Sequence, residues 1–169
     1  MSKKSGRSKP ARSDRQVIAT NRKARHNYYI KDTYEAGLAL MGTEVKSLRD
    51  GQASIVDGFA MFANNELWLE NVYIPEYGMG TWTNHQSRRR RKLLLHRSEL
   101  NKLERALDAT GTTIVPLSLY FRDGKVKVEI ALAEGKRDYD KRQALREAQD
   151  KREAQRAMRE ANRHGRSAL

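Results

Sequence analysis

Apolar and polar residues alternate with a period of two in two long stretches of the chain, and a short polar turn interrupts each stretch. The interruption is Asn64-Asn65 in residues 59–74 and Asp123-Gly124 in residues 113–132. A period of two places alternate side chains on one face of a strand, and Asn and Gly accept the backbone angles that tight hairpin turns need. The pattern therefore predicts two β-hairpins.

Three other segments have the composition or spacing of helices. Residues 43–49 are predicted as a short helix with Thr43 as a possible N-cap, and residues 98–109 as a longer helix that ends before Gly111. Residues 138–162 contain no Gly or Pro and are rich in good helix formers, but they offer almost no large apolar side chains. Such a helix cannot dock firmly on a protein core, so we expect it to be loose alone and helical against an anionic partner.

The remaining periodic segment, residues 27–40, has a period close to two that breaks near residues 31–35. The break predicts two short strands with a turn between them. The total is then about six short strands, which is typical of a small antiparallel barrel of the oligonucleotide-binding type. We therefore predict a mainly β fold, such a barrel with flanking helices and a basic C-terminal helical tail. A small open sheet with one helix packed on it is the alternative.

Charge divides the chain into three parts that sum to a formal net charge of +13. Residues 1–25 contain nine Lys or Arg and one acidic residue, residues 26–133 contain fourteen and thirteen, and residues 134–169 contain eleven and seven. Residues 1–20 have too little apolar surface to offset the entropy of ordering, so we predict a disordered basic extension. The barrel domain is expected over residues 21–133, and a basic tail follows it.

Composition also limits the classes of protein. There is no Cys, which excludes a disulfide scaffold, a thiol nucleophile and a thiolate zinc site. No segment approaches the roughly 18–20 apolar residues that span a bilayer, and the basic N-terminus lacks the apolar segment of a secretory signal. The expectation is a soluble cytoplasmic protein with a polyanionic partner and no membrane partner.

A run of five cations, residues 88–92, ends a Gly-containing loop over residues 75–87. Clustered cations neutralise phosphates, and loops of this length are often functional. Residues 93–95 are three Leu, which we expect to anchor the run on the core. Four aromatic residues that could stack on bases lie nearby in sequence or across strands: Tyr28, Tyr29, Phe59 and Trp82.

The residue patterns of common catalytic and metal sites are missing. The four His are not spaced as metal ligands, and there is no phosphate-binding P-loop and no GxSxG nucleophile motif. We predict a non-catalytic protein with no cofactor and no metal. Two alternatives stay open. One is a small ribonuclease that uses Glu35 with His26 or His96 as acid and base. The other is an ordinary ribosomal or nucleoid structural protein.

The chain also contains a collinear series of short motifs that covers most of its length. They are residues 21–26 with Tyr28, then residues 35–38, 44–49, 91–96, 115–121, 125–130, 135–137 and 140–142. This series resembles the bacterial SsrA-binding protein family, also called small protein B or SmpB. The resemblance implies an oligonucleotide-binding-type barrel that binds the tRNA-like domain of tmRNA, the SsrA RNA.

The resemblance further implies a role in trans-translation. A member of this family helps elongation factor Tu deliver alanyl-tmRNA to ribosomes stalled on an mRNA without a stop codon. The basic tail enters the decoding centre and the empty mRNA channel, and peptide tagging and ribosome rescue follow. A cytoplasmic monomer is expected.

Individual residues take their expected roles from the same motifs and from their chemistry. The expected tmRNA-binding residues are Tyr28, Glu35, Leu94, His96, Lys127, Arg91 and Lys92. The expected ribosome-binding residues of the tail are Gly135, Lys136, Arg137, Tyr139, Asp140, Lys141 and Arg142. Three positions depart from the family pattern: His96 stands where many members have Asn, Phe59 where many have Tyr, and Glu134 where many have Lys. The last change reverses a charge.

Overall fold

The computed structural model describes residues 15–79 and 84–166, which form seven strands and four helices. The strands are β1 (Gln16–Thr20), β2 (Tyr28–Leu38), β3 (Phe59–Ala63), β4 (Glu66–Glu70), β5 (Arg91–Leu94), β6 (Thr112–Arg122) and β7 (Lys125–Gly135). The helices are α1 (Arg22–Asn27), α2 (Gly42–Arg49), α3 (Arg97–Ala106) and α4 (Asp138–Arg166).

All strand pairs are antiparallel, and six of the strands close into a ring. The sheet order is β1-β6-β3-β4-β5-β2-β7, and an additional pairing of β6 with β7 closes the ring. Strand β1 lies outside the ring and pairs with β6 alone. Closure removes most free sheet edges, as expected for a small barrel. The predicted antiparallel barrel is confirmed, and the open-sheet alternative is wrong.

Both predicted hairpins are present, and their turns have the expected backbone. The φ angles are 52° at Asn64, 61° at Asn65, 50° at Asp123 and 74° at Gly124. Two successive positive φ values match the right-handed twist of the flanking strands, and Asn, Asp and Gly adopt them at low cost. The second hairpin, β6–β7, consists of two strands of eleven residues each, the same length as β2.

The structure differs from the sequence prediction in three strands. Residues 28–38 form one continuous strand, because the register shift between Ile30 and Thr33 absorbs the break in periodicity as a bulge. Strand β1 lies inside the segment predicted as a disordered extension, where Ile18 packs against the core and so supplies the missing apolar anchor. Strand β5 covers the end of the cationic run, which was not predicted as a strand.

The two short helices begin one residue earlier than predicted. Helix α2 starts at Gly42 after the N-cap Met41, whose backbone N–H donates to Glu44 Oε1 at 3.0 Å, so Thr43 is not the cap. Helix α3 starts at Arg97 after His96 and ends at Ala106. Each helix supplies apolar residues to the core of the barrel, Leu48 from α2 and Leu100 and Leu103 from α3.

Apolar residues pack against both the inner and the outer face of the barrel wall. Its interior is filled by the main apolar cluster, which includes Leu69, Ile114 and Ile130. On the outer side of the β6–β7 hairpin, a second cluster forms where Ala24 of α1 packs on Val115, Leu117, Ala131 and Ala133. Helix α1 is therefore fixed to the end of the hairpin that leads into the C-terminal helix.

The predicted C-terminal helix is confirmed, and only the boundary between the barrel and the tail differs from the prediction. Glu134 and Gly135 are the last residues of β7, so the barrel extends to Gly135, and the tail begins after it. Residues 138–166 form one helix in this structure, and exposed large apolar side chains on it include Leu145 and Met158. Its principal packing contact is with α1, near the start of α4. Residues 145–165 of α4 are exposed.

Candidate nucleic-acid interface

Three predicted RNA-binding residues lie close together on the outer face of the barrel. Strand pairing places Gly37 of β2 opposite Leu94 of β5 on one side and opposite Lys127 of β7 on the other. Glu35 lies two residues from Gly37 on the same strand, so the two residues share a face. We call Leu94, Gly37, Lys127, Lys125 and Glu35 the Gly37 patch.

Gly37 leaves room for its two neighbours. A Cβ atom at this position would lie 3.3 Å from Leu94 Cβ and 3.7 Å from Lys127 Nζ. The ammonium group of Lys127 therefore lies over the glycine, beside an apolar side chain that is 49% exposed. An exposed Leu beside a cation offers an apolar contact and a phosphate contact within one small area.

The carboxylate of Glu35 is held by two residues of β6 and by Arg15, which precedes β1. It accepts hydrogen bonds from the Tyr120 hydroxyl and from Arg122 Nη1, the latter at 2.6 Å, and Arg15 Nη2 lies 3.8 Å from it. Burial, together with the hydrogen bond to Glu35, raises the pKa of Tyr120. Glu35 is about a quarter exposed, and its orientation is fixed by these donors. A carboxylate with fixed orientation retains lone pairs for a further donor.

The cationic run does not form one surface, because Arg91 points into the protein. Its side chain has no exposed surface, and it donates to the carboxylate of Glu44, to the Val72 carbonyl at 2.7 Å and to the Ser87 carbonyl at 3.1 Å. Strand β5 alternates, so Arg91 and Leu93 face inward while Lys92 and Leu94 face outward. The assignment of Arg91 to tmRNA binding is therefore corrected: no phosphate can reach it.

The other cations of the run are partly engaged within the barrel. Arg89 Nε donates to Glu44 Oε1 at 2.9 Å, and Arg90 lies over the Trp68 ring at 4.2 Å from its centroid. Lys92 Nζ donates to Glu66 at 2.9 Å, yet its side chain remains 40% exposed. Lys92 therefore remains a candidate contact two residues from Leu94.

The remaining predicted residues lie around the Gly37 patch or far from it. His96 is exposed at the start of α3, two residues after Leu94. Tyr28 lies opposite Gly135 at the other end of β2, up to about 30 Å from Gly37 along the strand. Phe59 is 40% exposed on β3, and Tyr29 is 47% exposed. Trp82 lies outside the described residues.

The predicted ribosome-binding residues cluster where α4 leaves the barrel. Lys136 Nζ donates to the Arg25 carbonyl at 3.3 Å and lies 4.9 Å from the Tyr29 ring centroid. Burial and the carboxylate of Asp140 raise the pKa of Tyr29. Gly135 ends β7, and exposed Arg137 follows it. Tyr139, Lys141 and Arg142 lie in the first two turns of α4.

The alternative of a ribonuclease gains no support from the geometry. The side-chain partners of Glu35 are Tyr120, Arg122 and Arg15, and no His is among them in the described part of the chain. Among residues 15–79 and 84–166, no group of three or more possible metal ligands comes together. The helices of the same residues include none with the length and hydropathy of a membrane-spanning segment.

A model of the family described as SmpB protein matches residues 18–160. The chain belongs to the SmpB family. It is 71% identical over 153 residues to the SsrA-binding protein of Renibacterium salmoninarum, which covers 90% of this chain and 98% of that protein. It is 68% identical over 154 residues to the SsrA-binding protein of Arthrobacter sp. (strain FB24), over 91% of this chain and 99% of that one.

A solved SmpB structure has a similar fold. It is described as "tmRNA-SmpB: a journey to the center of the bacterial ribosome" and matches with a TM-score of 0.62 and 49% identity. The match covers 76% of this chain and 94% of that chain. Fold and sequence therefore both place the chain in the SmpB family.

The sequence did not single out several residues that build this surface. Gly37, Tyr120, Arg122 and Lys125 surround the predicted contacts, and Arg15 covers the Tyr120 ring at 4.3 Å from its centroid. Their positions depend on the register of β2, β6 and β7, which brings together residues about ninety positions apart. Only the hairpin register between β6 and β7 could be read from the sequence, through its two-residue turn.

Proposed function

We propose that the chain is a non-catalytic RNA-binding factor of trans-translation that binds the tRNA-like domain of tmRNA through the Gly37 patch. The observation that carries the proposal is the close placement of Leu94, Gly37 and Lys127 in a chain of the SmpB family. The SsrA-binding names of its relatives and the tmRNA-SmpB structure support the same partner. The protein would act in the cytoplasm as a monomer, without a cofactor.

Each side chain of the patch has a distinct role in this proposal. Lys127 and Lys125 bind phosphates, and Leu94 packs on a sugar or a base. Glu35 accepts a hydrogen bond from a ribose hydroxyl or a base amine, since ribose hydroxyls and base edges are the groups that proteins contact in folded RNA. Lys92 and His96 extend the contact along β5 into α3. Tyr28 would contact a separate part of the RNA at the other end of β2.

The C-terminal helix would bind the ribosome rather than tmRNA. Beyond its first two turns α4 is exposed, and it carries many cations and few apolar residues. Such a helix gains stability from a polyanionic surface. We propose that residues 135–142 and the following helix enter the decoding centre and the empty mRNA channel, while elongation factor Tu delivers the alanylated tmRNA. Peptide tagging and ribosome rescue follow from this placement.

The RNA that copurifies with the protein tests the first part of the proposal. The full chain is captured from bacterial cells and washed at high salt, because non-specific binding through phosphates weakens steeply as salt rises. We expect tmRNA to be the enriched RNA. Enrichment of ribosomal RNA or of bulk RNA without tmRNA would instead favour the structural-protein alternative.

A truncation tests the role of the tail. Deletion of residues 143–169 spares β7 and the contacts of Lys136 and Asp140 with the barrel. We expect unchanged affinity for the tRNA-like domain and loss of peptide tagging in a reconstituted translation reaction. The double substitution Lys141→Ala with Arg142→Ala should reduce tagging less severely. Loss of tmRNA affinity on truncation would show that the proposed division of roles is wrong.

A further inference from the structure

A linker of two residues, Lys136 and Arg137, joins β7 to α4, and the first of them is fastened to the barrel. The Lys136 N–H donates to the Asn27 carbonyl at 2.9 Å, and Lys136 Nζ donates to the Arg25 carbonyl at 3.3 Å. The same Nζ lies 4.9 Å from the centroid of the Tyr29 ring, which is a cation–π distance. The backbone and the side chain of Lys136 are therefore both held just before the C-terminal helix begins.

The partners of Lys136 are themselves fixed on the barrel. The N-cap of α1, Asn21, is buried: its side chain donates to the Pro116 carbonyl at 3.0 Å and accepts from the Ala24 N–H at 3.1 Å. Ala24 packs in the apolar cluster on the outer side of the β6–β7 hairpin. Tyr29 is held in β2, where it pairs with Glu134 of β7. Helix α1 and Tyr29, which we call the tail platform, thus form a fixed surface where the tail leaves.

The first two turns of α4 lie against this platform. Asp140, Lys141 and Ala144 are half-buried, whereas the later turns are exposed, and α4 packs against α1. Residues three or four apart share a helix face, so these side chains define the covered face, and Glu147 lies one turn further along it. Burial and then the carboxylate of Asp140 raise the pKa of Tyr29, and the charge of Glu147 adds to this effect. The covered face of α4 therefore lies beside Tyr29.

A small change where α4 meets the platform becomes a large displacement at the end of the helix. With a rise of about 1.5 Å per residue, the 29 residues of α4 span about 43 Å. A tilt of about 20° at the start would then move the far end by about 15 Å. Because the later turns are exposed, the platform is where the barrel can set the direction of the tail. A segment that enters a narrow channel needs that direction to be defined.

We propose that Tyr29 is a positioning residue for the tail, which holds the first turns of α4 through Lys136 and Asp140 in the direction from which the tail enters the ribosome. The inference rests on the proposed function, because it takes entry into the ribosome as the role of α4. Tyr29 acts here through the two tail residues and not through contact with tmRNA. A tail that is already oriented loses less conformational freedom when the ribosome binds it.

Distances between spin labels test the orientation of α4 directly. The chain has no Cys, so labels can be attached through Lys102→Cys on α3 and Arg152→Cys on α4 without further changes. Position 152 lies about 21 Å along the helix, so tilts of about 20° should broaden the distance distribution by about 7 Å in Tyr29→Ala. Circular dichroism checks that the helix content is unchanged.

The variant Tyr73→Ala is the matched control for both measurements. Tyr73 is also an exposed tyrosine beneath a cation, since it is 38% exposed and Arg88 lies 5.4 Å from its ring centroid. It contacts the chain far from the tail in sequence, through its backbone bonds to Ser54. We expect Tyr73→Ala to give the narrow distance distribution of the parent chain.

Peptide tagging in a reconstituted translation reaction tests the consequence for function. In Tyr29→Ala, the concentration of the complex with tmRNA that gives half-maximal tagging should rise about tenfold with an unchanged maximal rate, because a smaller fraction of tails points correctly. Affinity for the tRNA-like domain should stay within about twofold of the parent chain. Tyr29→Phe keeps the ring beneath Lys136 and should restore the half-maximal concentration to within about threefold. A purely structural defect would lower the maximal rate and would not spare tmRNA affinity.

The possible outcomes separate the positioning role from the proposed function. If the parent chain supports tagging and Tyr29→Ala has the same distance distribution or the same half-maximal concentration, the proposed function stands and the positioning role fails. More efficient tagging by Tyr29→Ala would also overturn it, because the platform would then hold the tail back. A matching loss of tmRNA affinity would place Tyr29 in the tmRNA interface instead. If the parent chain supports no tagging, the proposed function fails and the positioning role fails with it.

Discussion

Glu44 of α2 and Arg91 of β5 form an ion pair in which neither side chain has any exposed surface. The pair joins a helix to the barrel wall, and its remaining hydrogen-bonding groups are occupied by Met41, Arg89, Val72 and Ser87. A buried pair of this kind is expensive to break from one side, because the charge that remains has lost its partner. Arg91 therefore serves the architecture of the surface rather than contact with RNA.

The substitution Glu44→Gln should destabilise the barrel strongly. It leaves the Arg91 guanidinium buried without a counter-charge, so we expect the free energy of unfolding to fall by about 3 to 5 kcal/mol in urea denaturation at neutral pH. Glu66→Gln is the matched control, because Glu66 pairs with Lys92 at a partly exposed site. In that variant the free energy of unfolding should fall by less than about 1 kcal/mol. Similar losses in the two variants would contradict the assigned role of the buried pair.

The same carboxylate should make stability depend on acid pH. Burial would raise the pKa of Glu44, but hydrogen bonds from Met41, Arg89 and Arg91 outweigh it and hold that pKa below its ordinary value of 4.5. The unfolded chain then binds a proton at a higher pH than the folded chain, so this contribution to stability is present above about pH 4.5 and is lost as the pH falls through the lower folded-state pKa. Urea denaturation at several pH values should show a smaller acid-dependent loss in Glu44→Gln than in the parent chain. Identical acid dependence would exclude Glu44 as the source.

The substitution Gly37→Val should weaken tmRNA binding without unfolding the barrel. Its side chain would crowd Leu94, whose Cβ lies 3.3 Å from the new Cβ, and would displace Lys127 Nζ. Valine suits an extended strand, so the main effect falls on the outer surface. We expect affinity for the tRNA-like domain to fall about tenfold, or about 1.4 kcal/mol, in a filter-binding assay. Gly42→Val is the control, because apart from its chain neighbours and the backbone of its own helix no heavy atom lies within 4 Å of its Cβ position. Equal affinity of the two variants would place the RNA elsewhere.

The substitution Lys127→Ala should lower both the affinity and its salt dependence. A lysine that binds one phosphate contributes about 0.7 to 0.9 to the slope of log K against log salt, so the slope should decrease by about that amount. Lys102→Ala on the exposed side of α3 is the matched control and should leave the slope unchanged. A salt titration by fluorescence anisotropy measures both quantities. An unchanged slope in Lys127→Ala would remove Lys127 from the interface.

The hairpins, helices α2, α3 and α4 and the barrel class could be predicted from local features of the sequence, whereas the short helix α1 was not predicted. Asn64-Asn65 and Asp123-Gly124 impose turn geometry on their own neighbours, so no long-range information was needed. The break near residues 31–35 predicts a turn but is a bulge, because a bulge and a turn interrupt the periodicity in similar ways. Strand β1 was missed because it gains its order from pairing with β6, which lies about one hundred residues away in the sequence.

The candidate surface was predicted only in part for the same reason. Family motifs indicated Glu35, Leu94 and Lys127, but their meeting point at Gly37 depends on the pairing of three strands. The sequence predicts one cationic patch over residues 88–92, whereas strand alternation turns Arg91 inward to the buried carboxylate of Glu44. The number of charges along the sequence does not show whether an arginine is exposed on the surface or buried against a carboxylate.

Photocrosslinking from the centre of the patch tests the account most directly. A photoreactive amino acid replaces Leu94, which is 49% exposed, and in a matched protein it replaces Leu145 on α4, which is 58% exposed. Each protein is irradiated with purified tmRNA, and the crosslinked nucleotides are mapped. We expect the Leu94 probe to react within the tRNA-like domain and the Leu145 probe to react little. Efficient crosslinking from Leu145 with none from Leu94 would contradict the assignment of tmRNA to the Gly37 patch.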